Sequence, residues 1–159
     1  MAPICGEFPI RIARDGTWFY HGSPIGRKAL VRLFASVLRR AADGAYQLVT
    51  PVERGTIAVD DAPFVAVLCE AAGEGRAQRL AFTTNLDETV VAGPAHPIRA
   101  GGAPDLPAPY VLVRPGLEAL IARPVYYQLA ELGCEEAVDG RLAFGVWSDG
   151  TFFPLAPPG

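Results

Sequence analysis

Over much of this chain apolar and polar positions alternate with period two. Phe8-Pro9-Ile10-Arg11-Ile12 predicts a short strand, and Thr17-Trp18-Phe19-Tyr20 predicts its return partner. Asp15-Gly16 between them is a tight-turn signal, because glycine accepts the positive φ that such turns need. From Gly26 the period changes. Leu30, Leu33, Phe34, Val37, Leu38 and Ala41 recur as one helical stripe, with Lys28, Arg32, Ala35 and Arg39 opposite. Ser23 is the expected N-cap, Pro24 the first helical residue and Asp43-Gly44 the stop.

Beyond it, 46–50 and 56–59 predict a hairpin turning near Glu53-Arg54-Gly55. Residues 64–69 are continuously apolar and predict a strand buried on both faces, and 80–84 with 89–92 predict a further hairpin. After a Gly- and Pro-rich loop, 110–113 predicts a strand. Leu117, Leu120, Ile121, Val125, Leu129 and Leu132 then keep helical period around Pro124, which predicts either a kinked helix or two short helices in series. Residues 142–147 and 151–155 close the chain as strands around Ser148-Asp149-Gly150.

The sum is an α+β fold of two small, mostly antiparallel β subdomains with one main helix each, divided into 1–62 and 63–159. Internal echoes point to duplication. Asp15-Gly16-Thr17-Trp18-Phe19 returns as Asp149-Gly150-Thr151-Phe152-Phe153, and Gly26, Ala29, Leu30, Val31 as Gly116, Ala119, Leu120, Ile121. The hairpins align at an offset of 34, which sets Thr50 on Thr84, Ile57 on Val91 and Pro63 on Pro97.

Composition narrows the classes. A chain of 159 residues suits one domain or two small ones and can bury about 70% of its unfolded surface without a disulfide or a metal. A formal charge of −3 gives no global pull toward nucleic acid or anionic membrane. Cys5, Cys69 and Cys134 are three, widely spaced and without a C-x-x-C, which argues against a disulfide framework or a zinc site and suits a reducing compartment. No basic start leads into an apolar leader and no apolar run nears the roughly 18 residues of a span, so a cytoplasmic location and no membrane partner are expected.

Several catalytic motifs are refused on spacing. The stretch from Gly22 to Lys28 is one residue short of a phosphate loop, and no Ser or Thr follows the lysine to hold Mg²⁺. Gly73-Glu74-Gly75 follows a strand but leads into another strand, so no helix N-terminus meets a pyrophosphate. Ser148 lacks the spacing of a nucleophile elbow, and His21 and His96 lack an i+4 partner for a metal. No catalytic residue, metal site or cofactor is assigned, and the set weighs against an enzyme.

The softer candidates concern ligands. Arg27 and Lys28 fall at the start of the first predicted helix, where free N–H groups and the dipole favour anions. Cations there serve a partner or are simply solvated. Arg14, Trp18 and Tyr20 form a stacking surface for a base or, for the tryptophan, part of a core. Thr50, Glu53, Thr84 and Asn85 occupy corresponding hairpin ends, as turn formers or as donors and acceptors of a groove.

Residues 12–19, 24–27, 30–34, 48–53 and 61–64, with Thr84-Asn85, His96-Pro97 and Gly145-Val146-Trp147-Ser148, resemble a bacterial family classed only as a domain of unknown function. The resemblance runs over nearly the whole chain. It implies a two-part α+β fold with a duplicated core and a second half superficially similar to pleckstrin-homology-like domains. It also implies a nucleotide-like ligand between the halves and a role in signal transduction. Gln47 stands where the family pattern would place an aromatic, and Pro124 interrupts a helix expected to be smooth. The expected function is thus a non-enzymatic protein binding a small nucleotide-like anion at Arg14, Trp18, Arg27, Lys28, Thr50, Glu53, Thr84 and Asn85. The alternative is a protein-interaction module.

Overall fold

The computed structural model describes residues 4–157. Its tertiary contacts divide the chain into two units. The first is residues 1–63 with the turn 115–117, and the second is 64–114 with 118–159.

In the first unit, β1 (Ile4–Ile12), β2 (Trp18–Tyr20) and β3 (Ser23–Pro24) form a meander that leads into α1 (Lys28–Ser36). Then β4 (Leu38–Arg40), β5 (Tyr46–Val49) and β6 (Glu53–Val59) return. The sheet order is β3-β2-β1-β6-β5-β4, antiparallel except for the central β1–β6 pair. Asp15-Gly16 makes the predicted turn: the Asp15 carboxylate accepts from Thr17 N at 2.9 Å, and that bond holds its pKa below the ordinary value. Ile10, Ile12, Trp18, Val31, Ala35, Leu38, Leu48 and Ile57 fill the core.

The first helix departs from expectation at both ends and in its face. Ser23-Pro24 is not a cap but an edge strand paired with Phe19-Tyr20, and Arg27 occupies the N-cap without a side-chain bond. The helix stops at Ser36, whose hydroxyl donates to Leu33 O, and Leu38–Arg40 pairs with Tyr46–Leu48. Asp43-Gly44 is therefore a hairpin turn, with Gly44 at φ 91° and Asp43 accepting from Ala45 N. The helix buries Val31 and Ala35, one turn apart, while Leu33 is 63% exposed. The predicted stripe was drawn through Leu38 and Ala41. Both lie beyond the helix, so the inferred face was rotated away from the true one.

The second unit holds β7 (Phe64–Ala72), β8 (Arg79–Thr84), β9 (Thr89–Val91), β10 (Ile98–Arg99), the small pair β11 (Gly102–Ala103) and β12 (Leu106–Pro107), β13 (Tyr110–Arg114) and β14 (Leu117–Ile121). It continues with α2 (Arg123–Leu132) and a three-stranded sheet of β15 (Cys134–Val138), β16 (Arg141–Ser148) and β17 (Thr151–Pro154). The larger sheet runs β10-β13-β14-β7-β8-β9, with β14 parallel to β7 at its centre. Its core contains Phe64, Phe82, Leu80, Val111, Leu129, Val146, Phe153 and Leu155.

Four expectations are corrected here. Leu117–Ile121 is a strand, not a helix: Leu117, Ala119 and Ile121 are buried and alternate with Glu118 and Leu120. Gly116, at φ 74°, belongs to the turn before it, so the alignment of Gly26 with Gly116 matches a helix start with a strand start. Pro124 does not interrupt α2. It sits in the first turn, where its missing N–H has no intrahelical acceptor. β7 is also not buried throughout. It carries one extra residue, Val67, between Ala66 and Leu68, and Leu68 is 61% exposed.

Candidate functional site

The concave feature of the first unit comes from a break in the central ladder. Glu7 pairs with Thr56 and Arg11 with Ala58, so β1 spends Phe8, Pro9 and Ile10 against the single residue Ile57. Proline has no N–H to give a neighbouring strand, and strands carrying it bulge or lie at edges. Pro9 O is satisfied instead by His21 N at 2.9 Å, which pulls the β2–β3 turn over this segment. The result is a groove of about 420 Å³ whose walls include Phe8, Phe19, Glu7, Arg11 and Thr56.

Two details hold the walls in place. The Phe8 ring lies over Gly55: a Cβ built there would be 2.7 Å from Phe8 Cε2, so only glycine leaves room for the ring. Arg11 is clamped by Asp60, with Nε and Nη2 donating to the two carboxylate oxygens at 2.7–3.0 Å, and its guanidinium lies 5.1 Å from the Phe19 ring centroid. The hydrogen bond from Arg11 holds the Asp60 carboxyl below its usual range and raises the guanidinium correspondingly.

The sequence-expected site residues fall elsewhere in the two units. Trp18 is 1% exposed and stacks on Phe34 at 6.4 Å between centroids, so its ring faces are taken up by the core. Arg14 is exposed and paired with Asp61 at 3.3 Å. Arg27 and Lys28 are exposed at the start of α1. Thr50 accepts from Glu53 N and donates to Glu53 O, which closes the β5–β6 turn. Thr84 accepts from the N–H groups of Leu86 and Glu88 and closes the β8–β9 turn in the same manner. Asn85 reaches back to β7, where its Oδ1 accepts from Val65 N at 3.0 Å and its N–H donates to Val65 O. The groove itself escaped the reading of spacing and charge. The one signal for it was Pro9, inside an otherwise regular strand.

Ser148, Cys69 and the histidines are placed as follows. Ser148 is buried, donates to Ala92 O at 2.7 Å and accepts from Leu80 N at 2.9 Å, so it ties β16 to the larger sheet of its unit. Burial pushes the Cys69 thiol up to about 12. His96 Nδ1 meets Leu112 O, and His21 sits in the β2–β3 turn. Among the described residues no cluster of three or more His, Cys, Asp or Glu could hold a metal, and no helix is long and apolar enough to cross a membrane.

A model described as "Domain of unknown function (DUF1285), N-terminal domain" matches residues 2–62, and one described as "Protein of unknown function (DUF1285), C-terminal domain" matches 63–155. The chain belongs to the DUF1285 family. It is similar to a DUF1285 protein of Silicibacter pomeroyi, a crystal structure at 2.50 Å, with 55% identity over 98% of this chain and 84% of that one and a TM-score of 0.88. It is also similar to a DUF1285 protein of Shewanella baltica, solved at 1.40 Å. There the identity is 27%, over 78% of this chain and 91% of that one, with a TM-score of 0.60. Among curated proteins nothing matches the chain. The two halves of the DUF1285 description meet between residues 62 and 63, beside the contact boundary at Pro63.

Proposed function

We propose that this DUF1285 chain is a non-enzymatic protein that binds a small nucleotide-like ligand in signal transduction, and that the ligand's ring occupies the groove of the first unit. The groove carries this reading. Its volume of about 420 Å³ falls in the range of small-molecule sites, about 300–1,000 Å³. Its walls combine two phenylalanine rings with one hydroxyl, one carboxylate and one guanidinium, the pattern of an apolar site with a few orienting polar groups. Because Asp60 already neutralises Arg11, the groove suits a flat, weakly charged ring, the base and sugar, better than a polyphosphate. The exposed cations Arg27 and Lys28 would serve an anionic tail only if it extended beyond the groove.

The second unit, a β-rich body with α2 packed on it, we read as a superficially pleckstrin-homology-like scaffold. We read the shared strand order of the two six-stranded sheets as the trace of a duplication.

The test is a thermal-shift and calorimetry series on the intact chain with adenosine, guanosine and their mono- and triphosphates. The nucleosides should raise the melting temperature at least as much as the triphosphates. Phe19→Ala and Thr56→Val should each weaken binding about tenfold, about 1.4 kcal/mol. A response confined to triphosphates and abolished by Arg27→Ala with Lys28→Ala would move the site to α1. Silence from every nucleoside and nucleotide would remove the nucleotide-like reading.

A further inference from the structure

Two surfaces lie outside the groove, one in each unit, and both expose apolar side chains where a solvated protein places polar ones. On α1 the outward crown is formed by Leu33, with Leu30 and Ala29 beside it. Along this stretch of the sequence the charge has one sign: between Asp15 and Asp43 there is no acidic residue, while Arg27, Lys28, Arg32, Arg39 and Arg40 all occur. The second surface is the β15–β16 hairpin, closed by Asp139-Gly140 with both residues at positive φ. Leu142 and Phe144 lie on the strand face that further along carries the buried Val146 and Ser148, but here the strand has run past its core. Leu142 is 73% exposed and Phe144 is 45% exposed. Leu132, exposed at the end of α2, extends the apolar area, whereas Val138 pairs with Arg141 and is exposed on the opposite face of the hairpin. The charge here is mainly of the opposite sign, with Arg141 in the hairpin itself and Arg76 paired with Glu136 at 4.0 Å. Between Arg123 and Arg141 there is no basic residue, while Glu131, Glu135, Glu136 and Asp139 all occur.

Exposed apolar clusters rimmed by charge mark association sites. Here the two match in kind. One is a basic helix with leucines at its crown, and the other an acidic hairpin with a leucine and a phenylalanine on its open face. Both are present on every copy. We propose that the occupant of each is a second copy of this chain: α1 of one molecule docks on the β15–β16 hairpin of another. The division of charge supports this occupant. Residues 1–62 hold eight basic and six acidic residues, a formal +2, and residues 63–159 hold six and eleven, a formal −5, so the N-terminal segment of one copy attracts the C-terminal segment of another. If the contact is made twice about a two-fold axis, it closes as a dimer; made once, it propagates as a chain. This inference is independent of the groove reading.

The test is sedimentation velocity on the intact protein, from about 1 µM to about 0.1 mM in low salt. A species larger than the monomer should grow with concentration and weaken as salt screens the charges. Leu33→Asp and Leu142→Asp should each weaken self-association at least about tenfold. Neither should change the circular dichroism spectrum or the melting temperature, since both side chains are exposed. An equimolar mixture of the two variants should associate more strongly than either alone, because each retains the surface that the other has lost. Arg32→Glu should weaken association, and mixing it with Glu135→Arg should recover it. A monomer at every concentration would overturn the proposal. So would association indifferent to Leu33→Asp, or a mixture that recovers nothing. Binding of α1 to an acidic peptide or to anionic vesicles by a protein that does not self-associate would assign the helix to that occupant instead.

Discussion

The two six-stranded sheets follow one plan and differ in how each repairs a break. Read from the edge of the first three-strand meander, the first sheet runs β3-β2-β1-β6-β5-β4 and the second β9-β8-β7-β14-β13-β10. In each, the first and last strands meet as the parallel pair at the centre. Each also loses register once, in the strand that opens the plan. β7 carries a single extra residue, Val67, and two residues before it the ladder is closed by Asn85, whose side chain and main chain together bond both polar groups of Val65. β1 carries a longer excursion, Phe8-Pro9-Ile10, set against the single residue Ile57. The proline withholds a donor and the groove stays open. One break thus lies beside an open groove and the other beside a joint whose polar groups are paired.

The largest expected effects test whether each sheet has its own full core. Phe82 in the second and Trp18 in the first are almost wholly buried. Phe82→Ala and Trp18→Ala should each cost about 3–5 kcal/mol in urea unfolding. Leu33→Ala on the outward crown of α1 should stay within about 0.5 kcal/mol. If Leu33→Ala proves as damaging as Trp18→Ala, the buried face of α1 has been misassigned.

Asn85 sharpens the comparison more directly. Asn85→Ala leaves Val65 N without its acceptor in a buried place, which should cost about 1–3 kcal/mol. Asn85→Asp keeps an acceptor oxygen and should recover much of that loss. A silent Asn85→Ala, with exchange of the Val65 amide as slow as before, would show that the joint is sealed by something else.

Much of this plan could be read from the chain. Asp15-Gly16, the alternation around it and the hairpin of 80–84 with 89–92 were legible because turn chemistry and period two agree there. The misread segments are those where the two signals conflict. At 37–41 the helical spacing of Val37, Leu38 and Ala41 was followed, although Asp43-Gly44 is as good a hairpin turn as a helix stop. The pairing of Leu38–Arg40 with β5 decides it. At 117–121 the alternation of Leu117, Ala119 and Ile121 was overridden by the apolar run that continues to Val125, because a strand followed directly by a helix shares its last apolar positions with the helical stripe. Thr50 and Thr84 align as a matched pair, and in the structure each hydroxyl accepts main-chain N–H groups within its own turn. The groove was less legible, because it depends on three residues opposing one across a long-range pairing. Periodicity within a strand carries no information about that.

The cysteines separate a sealed interior from an open surface. Cys69 is buried and its thiol is pushed up to about 12, while Cys134 is exposed. In a Cys5→Ser background at pH 8, Ellman's reagent should label one thiol of the folded protein quickly and the second only as urea unfolds it. The same shift sets a direction with pH. The folded state holds its proton where the unfolded thiol has lost it, so this contribution to stability is complete below about pH 8.5 and fades as pH rises toward about 12. Cys69→Ala should lack that alkaline decline. Equal labelling of both thiols in the folded protein would contradict the burial.

The smallest effect concerns the open break and how firmly the groove wall is held in place. Arg11 and Asp60 are both largely solvated, so their pairing should contribute little to unfolding free energy, and Asp60→Asn should leave the urea midpoint nearly unchanged. Its effect should be local. With the bidentate hydrogen bonds in place, the Asp60 carboxyl is held below the ordinary carboxylate value of about 3.9. The contribution of the pair is therefore fully present above that value and is lost only as pH falls through the lower folded one. Carboxylate-detected NMR titration should find Asp60 protonating later on acidification than an ordinary exposed aspartate, and Arg11→Ala should return it to the ordinary value. Asp60→Asn should loosen the guanidinium–Phe19 contact and broaden the Phe19 ring signals, while the Val65 and Asn85 resonances of the sealed joint stay fixed. If Asp60 titrates normally in the unaltered protein, the clamp is not formed in solution. The groove would then be a looser surface than the sealed joint of the second sheet, rather than its open counterpart.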